Sequence, residues 1–283
     1  MRYLRFILLG LIFITNNLFS QNDCKVTYIG NEGFLIEYAG KKIIVDGLLN
    51  NLESKYFHSP SDSVVNLLEK SLPPFDNIDI ITISHKHSDH FDENIVVNHL
   101  LNNTNAKLIC PKQVEEILID RSDYKKISNR IIAITPDLYS DTTITVSDIS
   151  IRVLRLEHSH YMEKDSTGKE INRHRNIENL GYLFNIEETK LFHCGDTNPL
   201  NEKEYSTFSL IDEEIDIAFL ERIFFARGKK GQDILNNYIS PKEMILMHIR
   251  PENINLFINN FKSIETVKIF ENKMEAKVYR IGG

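Results

Sequence analysis

The chain has little cysteine: Cys24, Cys110 and Cys194 among 283 residues, with no Cys-x-x-Cys pair. That excludes a thiolate zinc site of the usual spacing. The odd count also argues against a disulfide framework, even in a protein that leaves the cell. Cys110 ends the apolar run Lys107 to Cys110 and reads as a small buried side chain. Positive charge is in deficit as well: 33 Lys and Arg face 40 Asp and Glu, a net charge of −7. Such a surface excludes a nucleic-acid backbone as the main substrate. No Gly/Ser/Pro-rich stretch divides the chain, which predicts one domain. With 42% hydrophobic and 26% charged residues, there is ample material for one ordinary core.

Long apolar runs are also missing. Phe6 to Thr15 falls short of the roughly 20 residues of a membrane span. It follows Arg2 and Arg5, and polarity returns at Asn16, Asn17 and Ser20. This is the pattern of a signal peptide over residues 1–20, with cleavage after Ser20; an uncleaved N-terminal anchor is the alternative. Asp23 is a poor fit to the small residue that lipidation of Cys24 would need. Residues 1–20 carry two Arg and no acid, so the remaining chain, 21–283, has a net charge of −9. The expectation is a periplasmic or secreted protein with no stable membrane span after cleavage.

What the sequence does have is Ile81-Thr82-Ile83-Ser84-His85-Lys86-His87-Ser88-Asp89-His90. Ile78 to Ser84 is apolar and β-branched apart from Asp79, which predicts a strand covered on both faces. His85 and His87 are two apart, so in an extended chain their imidazoles project to one side and can bind one metal together. Asp89 and His90 follow a short turn and point elsewhere, toward a second metal. Imidazoles with a carboxylate suit zinc, and also iron or manganese.

His-x-His-x-Asp-His after an Ile-rich strand resembles the signature of the metallo-β-lactamase superfamily, and the likeness runs through nearly all of the chain after the first two dozen residues. Within it the chain is most similar to the branch of L-ascorbate-6-phosphate lactonase-like and N-acylphosphatidylethanolamine phospholipase D-like hydrolases. The resemblance implies a four-layer αββα sandwich.

A repeat read from the residues points the same way. Asn31-Glu32-Gly33-Phe34-Leu35 with Lys42-Ile43-Ile44 is echoed by Asn179-Leu180-Gly181-Tyr182-Leu183 with Lys190-Leu191-Phe192. Ile78-Asp79-Ile80 is echoed by Ile215-Asp216-Ile217. Each hairpin runs toward an acid, Asp46 in one and Asp196 in the other. Two related halves are expected, with the site between them at one end. Further strands are predicted near 26–29, 107–110, 131–134, 143–146 and 149–156, and helices over 64–70 and 92–101. Pro111 is placed at the first position of another helix.

Locally, Asp196 after Gly195 reads equally as an Asx turn or as a carboxylate aimed between metals; the resemblance implies the bridging role. His248, in the apolar run Met244 to Ile249, resembles the superfamily's last ligand histidine. The third ligand of the first metal then lies between His90 and Asp196. His158 ends a strand, as His85 does, and is chosen; His160, two residues on, is the alternative. His99 belongs to a helix, and His193 is assigned to the surroundings of Asp196. The implied arrangement is His85, His87 and His158 on one divalent ion and Asp89, His90 and His248 on the other, with Asp196 bridging.

Two such metals about 3.5–4 Å apart can share a hydroxide formed near neutral pH. Asp89 can orient it and pass its proton to the leaving group. The expected function is hydrolysis of an ester, lactone or phosphodiester in a small-molecule or lipid-like substrate, with zinc as first choice. The alternatives are a β-lactam or amide hydrolase, a non-catalytic metal-dependent binding protein, and a redox di-iron protein. The polar stretch 161–178 lies beside the site, where His174, Arg173 and Arg175 are candidate substrate contacts. Residues 48–72, with Tyr56 and Phe57, are the candidate opposite wall.

Overall fold

The computed structural model describes residues 23–52, 55–226 and 228–281. The expected leader, 1–20, lies outside the described residues. Short β-branched runs punctuated by turns form β1 (Asp23–Gly30), β2 (Gly33–Tyr38), β3 (Lys41–Val45), β4 (Ile80–Thr82), β5 (Lys107–Cys110) and β6 (Ile131–Ala133). There follow β7 (Asp141–Val146), β8 (Ile149–Leu156), β9 (Met162–Lys164), β10 (Glu170–Asn172), β11 (Asn179–Ile186), β12 (Thr189–His193), β13 (Ile217–Glu221), β14 (Glu243–Met247), β15 (Val267–Lys268) and β16 (Ala276–Arg280). The helices include α1 (Asp62–Glu69), α2 (Glu93–Asn102) and α3 (Lys112–Ile119).

Two seven-stranded sheets result, ordered β16-β1-β2-β3-β4-β5-β6 and β15-β14-β13-β12-β11-β8-β7. Side chains alternate across each strand, so each sheet has two apolar faces. Phe34, Ile36, Ile43, Val45, Ile80 and Ile109 meet Tyr182, Phe184, Phe192 and Phe219 in one core between the sheets. The Phe34 and Phe219 rings are 4.8 Å apart. The alternate residues Leu35, Ile44, Ile81 and Leu108 instead meet α1, α2 and α3 through Leu68, Val96 and Val114. Burying each such side chain contributes about 1.5–3 kcal/mol. The result is the αββα sandwich.

The repeat is built into the hydrogen bonding. β2–β3 and β11–β12 are antiparallel hairpins, and β4 and β13 join them in parallel. Asp79 accepts from Lys42 N at 2.9 Å, and Asp216 accepts from Lys190 N at 2.8 Å. The aspartates are therefore equivalent staples, each closing the gap where a parallel strand meets a hairpin.

Several expectations need correcting. The strand predicted over 78–84 is regular only over Ile80–Thr82, because Ser84 turns to bond Asp46. Pro111 stands one residue before α3, as its N-cap. The stretch 161–178 is not all loop: β9 and β10 pair there as a hairpin. His248 lies just beyond β14 rather than within it. None of the described helices is long and apolar enough to cross a membrane.

Candidate metal centre

The strands converge on one end of the sandwich, and their last residues build the site. β4 leads into His85, β8 into His158, β12 into Asp196 and β14 into His248. Leaving a strand so sharply needs unusual backbone. Asn31, Asp46 and His248 have φ of 46°, 45° and 58°, and Gly195 has 55°. Non-glycine residues in that region concentrate where function constrains the chain. At Gly195 a Cβ would lie 2.5 Å from Asn179 Oδ1, so only glycine fits.

His85 Nε2 and His87 Nδ1 are 3.0 Å apart. Asp196 Oδ2 is 4.0 Å from His85 Nε2 and 3.6 Å from His158 Nε2. One donor atom from each of these four residues lies within 4.8 Å of the others. His160 is outside this group; it is exposed and pairs with Glu157 Oε1 at 2.9 Å.

Asp89 Oδ2 lies 3.8 Å from His90 Nε2 and 3.7 Å from His248 Nε2, and His90 Nε2 is 3.9 Å from Asp196 Oδ2. These four residues are neighbours, but their donors do not close into so tight a set. The other tight groups among the described residues are Glu32, Asp196, Glu221 and His248, and Glu32, Asp46 and His90.

The imidazoles are held by their other ring nitrogens. His90 Nδ1 meets Asp46 Oδ2 at 2.9 Å, and His248 Nδ1 meets Glu221 Oε1. His85 Nδ1 is 3.0 Å from Ser84 Oγ, which donates to Asp46 Oδ2 at 2.5 Å. His158 Nδ1 donates to Ser159 O at 2.9 Å. Carboxylate and carbonyl partners of this kind orient a ligand histidine and leave its other nitrogen free. Asn31 Nδ2 donates to Asp89 Oδ2 at 3.2 Å, and Asn179 Oδ1 accepts from Asp196 N at 3.1 Å. The two asparagines are the repeat's equivalent residues, each steadying one aspartate.

Burial, then the neighbouring imidazoles, pushes His85 well below the usual histidine range and His87 to about 4. Burial takes His158 to about 4. All three therefore present neutral lone pairs at neutral pH. Burial opposes charge on His90, but Asp89 and Asp46 lift it to about 9. Burial also raises the Asp89 carboxyl, yet His90 and His248 outweigh that and bring it to about 2. His158 Nε2 and Asp196 Oδ1 are buried without a hydrogen-bond partner. Orphaned acceptors in a cluster of neutral imidazole and carboxylate are what a divalent cation satisfies, so the residues fit a metal.

His174 packs edge-on beside this cluster, 4.3 Å from the His158 ring and 5.0 Å from the His87 ring. Arg173 is exposed and bonded to Glu163 across the hairpin at 2.6 Å, and Arg175 is exposed. His193 joins Glu32 O and Gly195 N. His99 bonds Leu68 O, far along α2. Arg250 covers the Tyr56 ring at 5.1 Å, so part of the 48–72 wall reaches the segment after His248.

Sequence reasoning missed Glu32, Glu221 and the partner roles of Asp46 and Ser84. The repeat held a signal for one of them. Since Asp216 matches Asp79, Glu221 matches Ser84, and both end on the site.

The profile of the beta-lactamase superfamily domain matches residues 57–252. A UPF0173 metal-dependent hydrolase of Pyrococcus furiosus is 24% identical over 226 residues, covering 79% of this chain and 84% of the relative. Igni18, a metallo hydrolase of Ignicoccus hospitalis, superposes with a TM-score of 0.59 at 18% identity, over 92% of this chain and all of that one. CmlA, a diiron β-hydroxylase of Streptomyces venezuelae, does so at 0.54 and 13% identity, over 91% of this chain and 54% of that one. The profile match over most of the chain and the sandwich that carries the clustered ligands agree, and the chain belongs to the metallo-β-lactamase superfamily of metal-dependent hydrolases.

Proposed function

We propose that the protein is an exported di-zinc hydrolase of an ester, lactone or phosphodiester. One zinc is assigned to His85 Nε2, His87 Nδ1 and His158 Nε2. The other is assigned to Asp89, His90 and His248, with Asp196 Oδ2 between them. The observation that carries this reading is the position of that single oxygen, 3.6–4.0 Å from His158, His85 and His90. Three neutral imidazoles with one carboxylate suit zinc. Bound there, divalent ions supply Lewis acidity and water acidified to near neutral pH.

The chain's own residues do the rest. Asp89 is held by Asn31 with its Oδ2 toward the open side of His90 and His248. It is ionised at neutral pH and is placed to take a proton from the attacking water and deliver it to the leaving group. With the ions bound, Asp46 and Glu221 would accept from Nδ1 of His90 and His248 and leave each Nε2 to the metal. His174 stands over the His87–His158 edge, where it meets a substrate oxygen. Arg173 and Arg175, on either side of His174, are the proposed contacts to an anionic group of the substrate.

The test is a panel of chromogenic esters, lactones, phosphodiesters and cephalosporins, with and without chelator. Chelator-sensitive turnover of an ester, lactone or phosphodiester is expected. Turnover confined to the cephalosporin favours an amide hydrolase, and no turnover by zinc-loaded protein refutes the reading.

A further inference from the structure

Beside the cluster of imidazoles lies a second cluster, rich in acids. Glu32, Asp196 and Glu221 are 0%, 5% and 1% exposed, and each offers an atom within 4.8 Å of the others and of His248. Both oxygens of Glu32, Oε2 of Glu221 and Oδ1 of Asp196 are buried with no hydrogen-bond donor. The ionic neighbours of Glu32 among the described residues are His90 at 3.9 Å and His248 at 3.8 Å. Neither is free to serve it: His90 Nδ1 is bonded to Asp46 and His248 Nδ1 to Glu221. Buried carboxylates without partners are costly, and either a proton or a cation must neutralise them.

Asp196 divides its oxygens between the two clusters. Oδ2 faces His85, His90 and His158, whereas Oδ1 lies 3.2 Å from His248 Nδ1 on the acid side. Ions held by the histidines through Oδ2 therefore leave the other oxygens unanswered. We propose that Glu32, Glu221 and Asp196 Oδ1 hold a third cation. Its donors are carboxylate oxygens only, since the Nδ1 hydrogen of His248 is given to Glu221. That set selects a hard divalent ion of the magnesium, manganese or calcium class rather than zinc. The inference rests on the preceding reading only in assigning Oδ2 to the two zinc ions.

The test counts ions. Full-length protein is stripped with chelator, reloaded with zinc, incubated with Mn²⁺ and desalted, and its metals are measured by plasma mass spectrometry and Mn²⁺ spin resonance. The wild type should carry about two zinc ions from the paired site and one further ion. Glu32→Gln should keep the zinc and bind Mn²⁺ about tenfold or more weakly. If that variant fails to fold, the melting temperature of zinc-loaded wild type against Mn²⁺ is read instead, and it should rise with occupancy. No uptake beyond the zinc, an equal total in Glu32→Gln, or a melting temperature blind to Mn²⁺ overturns the third site. Protons shared among the carboxyls would give that first result. A shortfall in zinc, by contrast, counts against the two-zinc reading and leaves the Mn²⁺ comparison intact.

Discussion

Replacing His158 by Ala removes one of four donors that converge within 4.8 Å. Even partners that only orient a ligand cost 10–100-fold in metal affinity when lost, so about 1.4–2.7 kcal/mol is a lower bound here. The buried ring also props its neighbours, standing 4.7 Å from His85 and 4.3 Å from His174. With it gone the remaining donors relax, and a shift of about 1 Å at a reacting centre costs about 100-fold in rate. His158→Ala should thus lose metal and nearly all turnover. His160→Ala breaks only the exposed pair with Glu157, worth under about 1 kcal/mol, and should keep both metals and its kcat. His174→Ala should keep the metals and raise KM. Metal content is measured beside kcat and KM for the three variants. Metal loss in His160→Ala with full occupancy in His158→Ala would move the ligand by two residues and refute the assignment.

Arg130 is buried and donates to the carbonyls of Leu100, Asn103 and Ala106 at the end of α2; Arg130→Met should cost about 3 kcal/mol in urea unfolding, and a loss below about 0.5 kcal/mol would show those bonds to be idle. His99 is pushed down to about 4 by burial, against about 6.5 when unfolded. Its neutral form therefore stabilises the fold fully above about pH 6.5, and up to about 3 kcal/mol is lost as the pH falls through about 4. Metal-free His99→Gln should lack that share of the acid slope, and slopes equal to wild type would contradict it. Asp196→Ala should lower occupancy at both zinc positions, so retention of two tightly bound ions would remove it from the bridging role. Material made with its native leader should begin near Gln21 by mass spectrometry, and a cytoplasmic protein starting at Met1 would sink export.

The sequence by itself determined a good deal. A β-branched strand ending in His85, His87, Asp89 and His90 carries its chemistry in one short stretch, so local spacing was enough to read it. The hairpin repeat was legible because the same short strand words recur in order, with Lys42 and Asp79 in one half answered by Lys190 and Asp216 in the other. What only the tertiary structure decided is which distant residues face that stretch. Glu32 sits in a tight turn, and Glu221 ends an apolar strand; in sequence each looks like any solvated acid. Their burial comes from two sheets closing over the ends of β2, β13 and β14, a contact that no local pattern encodes. The choice between His158 and His160 has the same origin. Two residues apart they face the same way in an ideal strand, but the chain turns after Leu156, burying one ring against Asp196 and leaving the other in solvent.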